Sequence, residues 1–171
     1  MMKSKVVGVV GLLGALVVSG YGHDVVAQAA GLAIGGSASN YGQTTLAPGF
    51  LPDPVTVQVT SGGGINVSSL NLAPGCVGYV TRQPDYILHM SGNSSALRLT
   101  VTVPGARPVT ATDTTLVVND PHGGWHCNDD TNGANPALSL AGLGAGQYDI
   151  WIGSYVANRR ARGTLAITER P

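Results

Sequence analysis

The sequence is poor in charge: Asp, Glu, Lys and Arg make up only 11% of its 171 residues, against about a quarter in typical soluble proteins. No Lys follows Lys5. Because proteins that bind nucleic acid carry a basic surface, this composition argues against a nucleic-acid partner. The one basic cluster, Arg159, Arg160 and Arg162, is short and typical of a solvated hairpin turn. Abundant Gly, at 25 residues, together with Thr, Val, Ser and Asn, indicates an extracellular all-β protein.

A hydrophobic run long enough to span a membrane is also missing. The apolar run Val6–Val18 is shorter than the roughly 20 residues that a spanning helix needs. It follows two Lys, and Ala27-Gln28-Ala29 supplies the small-x-small pattern of a signal-peptidase site. We therefore predict a signal peptide over residues 1–29, cleaved before Ala30, and a secreted or periplasmic protein with no membrane span after cleavage. Cleavage nearer Gly20 and an uncleaved anchor are the alternatives.

Cysteine is scarce, with only Cys76 and Cys127 in the chain. No CxxC motif is present, which argues against a redox or zinc-ribbon site. In an exported protein an even pair of Cys predicts a disulfide. The bond would close a long loop, worth about 4 kcal/mol in the chain-entropy treatment, and would hold the segment after Cys127 in place. Free buried thiols are the alternative.

The remaining chain, about 140 residues, is enough for one domain. No segment past Ala30 has a sustained 3.6-residue apolar repeat. Short alternating segments separated by Gly, Pro and Asn predict instead a single β-sandwich of about 8–9 strands over residues 55–171. The predicted strands are Val55–Thr60, Ile65–Leu70, Cys76–Thr81, Asp85–Met90, Ala96–Val103, Thr114–Val118, Ala137–Leu140, Tyr148–Tyr155 and Thr164–Thr168.

Residues 30–54 lack a strand pattern and contain Pro48, Pro52 and Pro54. They predict an extended N-terminal arm that leads into the domain. Such an arm can pair with the edge strand of a neighbouring molecule, so self-association into a fibre or coat is one functional hypothesis.

Acidic residues concentrate in the segment Asp113–Tyr155, which holds five of the nine in the chain. Carboxylates crowded beside Asn and Gly repel one another unless a cation or backbone N–H groups offset their charge. Calcium binds about six to eight oxygens of carboxylates, amides and backbone carbonyls in flexible geometry. The predicted calcium ligands are Asp113, Asp129, Asp130 and Asn135.

Other interpretations of this acidic loop stay open. The motif Asn128-x-Asp130-x-Asn132-Gly133 matches the first half of an EF-hand loop, but Ser139 stands where a bidentate Glu belongs, so a true EF-hand is excluded. An Asx-rich turn, whose side chains accept backbone N–H groups, explains the Asn and Gly equally well. Zinc bound through His122, His126 and an Asp is a poorer alternative, because Cys127 is expected to be in the disulfide.

Aromatic residues are few, and three of them suggest a ligand surface. Trp125, Trp151 and Tyr155 are candidate contacts for a carbohydrate or surface polymer. Trp151 alternates with Ile150 and Ile152, so it faces away from both, either into packing on the other side of the sheet or into solvent. Core packing is the commoner fate of such a Trp.

Several motifs resemble a known family. Those of the acidic segment are Asp113-Thr114-x-Leu116, Asp129-Asp130, Asn135-Pro136 and Gly146-x-Tyr148-x-Ile150-x-Ile152-Gly153. They resemble the pre-peptidase C-terminal domain, a jelly-roll-like β-sandwich appended to many secreted bacterial proteases. Nearly everything after Tyr41, including Cys76-x-Gly78-Tyr79 and Trp125-x-Cys127-x-Asp129-Asp130, is similar to small exported bacterial proteins often labelled serine (S1) peptidases.

The peptidase activity that this label implies requires a Ser nucleophile, a His base and a buried Asp. The sequence contains no Gly-Asp-Ser-Gly-Gly segment and no Gly-x-Ser-x-Gly elbow. His89 follows an apolar run on a strand, which is typical of a packed or surface His rather than a base. Neither His122 nor His126 has a Ser at a telling spacing. We therefore predict no catalytic residues. The expected function is a calcium-stabilised module for binding or adhesion outside the cytoplasm, and serine peptidase activity is the less favoured alternative.

Overall fold

The computed structural model describes residues 31–104 and 113–170. Within these ranges the chain forms eleven β-strands in two sheets, one of seven strands and one of four. The predicted all-β sandwich is confirmed. The predicted signal peptide lies outside the described residues. No helix in the described ranges is long and apolar enough to cross a membrane.

The strands are short and are joined by turns rich in Gly, Pro and Asn. They are β1 Gln43–Leu46, β2 Val55–Thr60, β3 Ile65–Asn66, β4 Tyr79–Val80, β5 Tyr86–Met90, β6 Arg98–Thr102, β7 Thr114–Asn119, β8 Trp125–Asn128, β9 Ala137–Ser139, β10 Gly146–Ser154 and β11 Arg162–Thr168. A turn of 3₁₀ helix, Val67–Leu70, follows β3, and the Asn66 side chain caps it by accepting the N–H of Ser68 at 3.1 Å.

Strand β10 organises the larger sheet. It pairs antiparallel with β5, β7 and β4. Strand β1 runs parallel along the other edge of β5, β8 pairs with β7, and β3 pairs with β4. The smaller sheet has the order β2-β11-β6-β9, with antiparallel pairs throughout. The two sheets together supply the two layers of a sandwich.

The main core lies between the two sheets. From β10, the alternate residues Tyr148, Ile150 and Ile152 point into it, and from the smaller sheet Leu99 and Leu165 belong to the same buried cluster. Each of these side chains is at most 1% exposed. Full burial of a side chain of this size contributes about 1.5–3 kcal/mol. The period of two along each strand therefore accounts for the packing of the sandwich.

The opposite face of the larger sheet is buried as well. Trp151 and Val117, whose chain neighbours point into the main core, form a second cluster with Leu32, Val67 and Cys76. All five are at most 6% exposed. Leu32 and Ile34 of the N-terminal segment cover this face together with the segment around the 3₁₀ turn. Both faces of β7 and β10 are thus removed from water.

Seven of the nine predicted strands are confirmed, with ends that shift by at most two residues. The other two are much shorter than predicted. Ile65–Leu70 is a strand only at its first two residues, because the 3₁₀ turn begins at Val67. Cys76–Thr81 contains only the two-residue β4. Strand β8, within the predicted acidic loop, was not predicted.

The expectation that residues 30–54 lack a strand is wrong. Gln43–Leu46 forms β1 and pairs with β5 over its whole length. Leu32 is fully buried under the larger sheet, and Phe50 belongs to the main core. The pairing of β1 with β5 joins residues far apart in sequence, and no short-range pattern reports it. The described part of this segment is integrated into the domain.

We predict that Leu32→Ala destabilises the protein by about 2–5 kcal/mol, because it leaves a cavity beneath the N-terminal segment. Leu51→Ala is the matched control, since Leu51 is 80% exposed and its loss should change stability by no more than about 0.5 kcal/mol. Urea denaturation of the purified variants measures both. Equal, small effects of the two substitutions would show that the segment does not stabilise the domain.

Candidate functional site

Three of the four predicted calcium ligands lie at one end of the β7–β8 hairpin. The register pairs Leu116 with Asn128, so the residues that continue the two strands, Asp113 on one side and Asp129 and Asp130 on the other, come close together. Burial, then the negative charges of Asp130 and Asp129, raise the pKa of the Asp113 carboxyl. The acidic end of the hairpin, as we call these three residues, is therefore a region of mutual repulsion.

One oxygen of this group has no partner. Asp113 Oδ1 is buried and accepts no hydrogen bond from any residue in the described ranges. It adjoins an open cavity of about 420 Å³ whose lining includes Asp130, Thr131 and Gly133. Within those ranges, however, no group of three or more His, Cys, Asp or Glu side chains is arranged so that it could hold a metal ion. The three carboxylates share a region without forming a closed cage.

Asn135, the fourth predicted ligand, has a different role. Its side-chain oxygen accepts the N–H of Val103 at 2.9 Å, and its backbone oxygen accepts the N–H groups of Thr131 and Asn132 at 3.2 and 3.0 Å. The Asn128 side-chain oxygen likewise accepts from the Thr131 hydroxyl at 2.7 Å and from the Ala137 N–H at 3.0 Å. The Asn128 and Asn135 side chains thus stabilise an Asx-rich turn, which the sequence offered as the alternative to a calcium site. The side chains of Asp129 and Asp130 take no part in these hydrogen bonds.

Asp120 forms a separate, satisfied cluster with His126. It accepts the N–H groups of His122 and Gly124 at 2.7 and 2.9 Å, and His126 Nε2 lies 2.7 Å from its Oδ2. Burial alone would raise the pKa of Asp120, but the hydrogen bonds from His126, Gly124 and His122 outweigh it and lower the pKa. A Cβ at position 124 would lie 2.5 Å from Asp120 Oδ2, so the turn needs Gly there. This cluster uses the His126 ring and disfavours the zinc alternative.

The predicted disulfide between Cys76 and Cys127 is confirmed, with a Cα–Cα distance of 4.9 Å across 51 residues of sequence. Cys127 lies in β8, a few residues before the acidic end of the hairpin. The bond fixes β8 against the segment that follows the 3₁₀ turn, which covers the larger sheet. The disulfide therefore restrains the strand that leads into Asp129 and Asp130.

The three aromatic residues predicted to bind a ligand differ in how far they are buried. Trp151 is fully buried, so its prediction as a ligand contact is wrong, because the N-terminal segment covers the sheet face from which it projects. Trp125 is half-buried and packs on it, with ring centroids 5.8 Å apart and planes tilted by 36°. Tyr155 is 49% exposed. The Trp pair belongs to the second core, and Tyr155 alone of the three presents a largely open ring.

Two buried carboxyl groups were not found from the sequence. Asp85 is 1% exposed and accepts the Asn40 amide at 2.8 Å and the Ile152 N–H at 2.7 Å. Asp149 is 2% exposed and accepts the Gly35 N–H at 2.7 Å. Both therefore bind residues of the N-terminal segment to the larger sheet. The available signal was an acidic residue within or next to an apolar strand, which is costly to bury unless it is hydrogen-bonded.

Burial raises the pKa of Asp85 to about 7, against the hydrogen bonds from Asn40 and Ile152, which lower it. Burial also raises the pKa of Asp149, partly offset by its bonds to Gly35 and Gln147. A buried carboxyl is costly to ionise, and these donors reduce that cost without removing it. Neither carboxyl accepts a hydrogen bond from a Ser or His side chain in the described ranges.

No protein-family model matches the chain, and no curated protein matches its sequence. A solved structure is similar: the pre-peptidase C-terminal domain of a collagenase from Bacillus anthracis. It is 12% identical with a TM-score of 0.38, and the match covers 75% of this chain and 94% of that one. It belongs to the domain class that the sequence motifs resemble. The assignment to the β-sandwich class rests on the two sheets of the chain itself.

We predict that the Asp85 carboxyl makes the protein less stable as pH rises from about 4 to about 7. Its pKa is about 7 in the folded state and about 3.9 in the unfolded state, so in this interval the folded state binds more protons. The stabilisation, on the order of 4 kcal/mol, is complete below pH 4 and is lost as pH approaches 7.

Asp85→Asn removes this contribution whatever its effect on absolute stability. Urea denaturation between pH 4 and 8 measures the difference in slope between the wild type and the variant, which cancels the contributions of the other carboxyl groups. Parallel curves for the two proteins would show that Asp85 titrates alike in the folded and unfolded states.

Proposed function

We propose that this protein is an exported, non-catalytic β-sandwich module that calcium stabilises and that serves binding or adhesion outside the cytoplasm. The observation that supports calcium is the Asp113 carboxyl, with one buried, unpartnered oxygen in the described structure and two neighbouring carboxylates that raise its pKa. A divalent cation would offset the repulsion among the three side chains.

The chemistry of this end suits calcium better than zinc. Carboxylate oxygens from Asp113, Asp129 and Asp130 are hard ligands, and calcium accepts backbone carbonyls and water to complete its coordination. Because the coordination geometry of calcium is flexible, small movements of the three Asp side chains would be enough to close the site around the ion. Zinc prefers nitrogen and sulfur ligands, but His126 is bonded to Asp120 and both Cys are in the disulfide.

The disulfide supports export. Disulfides persist in oxidising compartments outside the cytoplasm and are rare within it. The predicted signal peptide supplies the route, and a secreted or periplasmic location is the proposal that follows. The bond and the cation would act on the same strand, since β8 carries Cys127 and leads directly into Asp129.

Self-association is a second candidate function, favoured by one edge of the smaller sheet. Strand β2 pairs only with β11 in the described structure, and its sequence VTVQVT has no charge and no Pro. Uncharged edge strands of this length are templates for pairing with another chain. A second copy adding to β2 would extend the sheet, so we propose this edge as the contact, in place of the N-terminal segment.

We predict that calcium raises the melting temperature and that Asp130→Ala abolishes the rise. At a calcium concentration 100 times the dissociation constant, binding stabilises the folded state by about 2.7 kcal/mol, or roughly 8 °C in a domain of this size. Calorimetry of the protein with calcium and with EDTA measures the rise. Glu169→Gln is the matched control, since it also removes one negative charge but lies away from the acidic end of the hairpin.

The control should show the full calcium-dependent rise. If calcium raised the melting temperature of Asp130→Ala by as much as that of the wild type, the cation would bind at another part of the molecule. If calcium did not raise the melting temperature of the wild type, the calcium proposal would be refuted.

A further inference from the structure

Three neighbouring cavities lie where β2, the residues after β4 and the connection between β10 and β11 come together. Their volumes are about 490, 490 and 390 Å³. The first and second share Thr81 and Arg160 in their linings, and the second and third share Thr60 and Arg162. The three cavities are therefore adjacent, and together they form a groove on the surface. We call it the arginine groove, after four lining residues: Arg82, Arg159, Arg160 and Arg162.

Two glycines bring the walls of the groove together. Gly62 has a φ of +100°, and a Cβ there would lie 2.3 Å from the Arg159 backbone oxygen. A Cβ on Gly63 would lie 1.9 Å from the Val80 carbonyl carbon. The backbone after β2 thus packs directly on the β10–β11 connection and on β4. The Ser61 and Ser154 hydroxyls, 2.8 Å apart and buried, join β2 to β10 beneath the groove. The walls belong to the rigid framework.

No carboxylate in the described ranges forms an ion pair with the arginines of the groove. The ion pairs in the described ranges are His126–Asp120 and Arg170–Asp53, so none involves the four groove guanidinium groups. Asp85 is the one described carboxyl that lines these cavities, and it is buried with its oxygens bonded to Asn40 and Ile152. Four of the six Arg in the described ranges, all except Arg98 and Arg170, are therefore concentrated here.

We propose that the arginine groove binds an acidic polysaccharide, a linear polymer whose sugar units carry carboxylates, as uronic acids do. Guanidinium groups bind carboxylates through paired, charge-assisted hydrogen bonds. Three cavities in a row suit successive units of a chain better than a single small anion. This inference rests on the proposed role as a binding module outside the cytoplasm and identifies the class of its ligand.

The rest of the lining fits sugars. Thr60 offers a hydroxyl group and Asn40 an amide oxygen, while the Asn40 amide N–H groups are already bonded to Thr81 and Asp85. The 37%-exposed Tyr41 ring stands at the side, tied by its hydroxyl to the Thr60 carbonyl at 3.3 Å. Proteins that bind single-stranded nucleic acid stack successive bases on several aromatic rings. Tyr41 is the one aromatic residue that lines the three cavities. The groove therefore favours a polysaccharide over a nucleic acid.

Titration calorimetry with oligogalacturonate, in EDTA, tests the inference. The wild type should bind oligogalacturonate, binding should weaken with added salt because screening reduces the attraction of exposed charges, and a neutral galactose oligosaccharide of equal length should not bind. The double variant Arg160→Gln/Arg162→Gln should bind about tenfold more weakly or worse, because it removes two charge-assisted contacts. Arg98→Gln, which removes a charge outside the groove, is the matched control and should bind as the wild type does.

Equal binding of the neutral oligosaccharide, undiminished binding by the double variant with an unchanged melting temperature, or no binding by the wild type would overturn the inference. Single-stranded DNA of matched charge that bound as tightly would assign the groove to nucleic acid instead. The calcium proposal is tested separately, because EDTA removes the ion from every titration. Asp130→Ala should retain oligogalacturonate binding, so failure of one proposal leaves the other measurable.

Discussion

Every layer of this protein is arranged around strand β10, whose side chains are buried on both faces. Ile150 and Ile152 face the smaller sheet, and Trp151 between them faces the other way. A sheet that presented Trp151 to water would expose one of the largest apolar side chains in the chain. The second face therefore needs its own cover, which Leu32 and the segment around Cys76 supply. The integrated N-terminal segment and the position of the disulfide both follow from this one strand.

The same strand explains why acidic residues lie inside the protein. Covering a sheet face with irregular backbone leaves N–H groups that need acceptors, since a buried unpaired group costs about 1–3 kcal/mol. Asp149 supplies one acceptor for Gly35, and Asp85 joins Asn40 to the Ile152 N–H. Both carboxyls are costly to bury, as their raised pKa values show. The hydrogen bonds that each carboxyl group accepts offset part of this cost, and they connect the N-terminal segment to the larger sheet.

The sequence predicted those features that depend on residues close together in the chain. It did not predict those that depend on contacts between distant residues. Alternation placed Trp151 on the opposite side from its neighbours, but its burial depends on Leu32, which lies far earlier in the chain. Asp113 and Asp130 could be brought together from the sequence because one hairpin joins them. Asp85 could not be interpreted, because its role depends on contacts with residues distant in sequence. The strand β1 was missed for the same physical reason, since its partner β5 is long-range and parallel.

Because the chain has few charged residues, the position of each one can be related to a structural role or to the surface. Asp85, Asp120 and Asp149 are buried and hydrogen-bonded, so they contribute structure and present little charge to solvent. The exposed charges include the Asp130 carboxylate at the acidic end of the hairpin and the guanidinium groups along the arginine groove. In a surface that is otherwise nearly neutral, non-specific attraction is weak, and charges reach only about 8 Å at physiological ionic strength. Recognition would then depend on direct contact with these two regions, for which we propose a cation and an anionic polymer as the respective ligands.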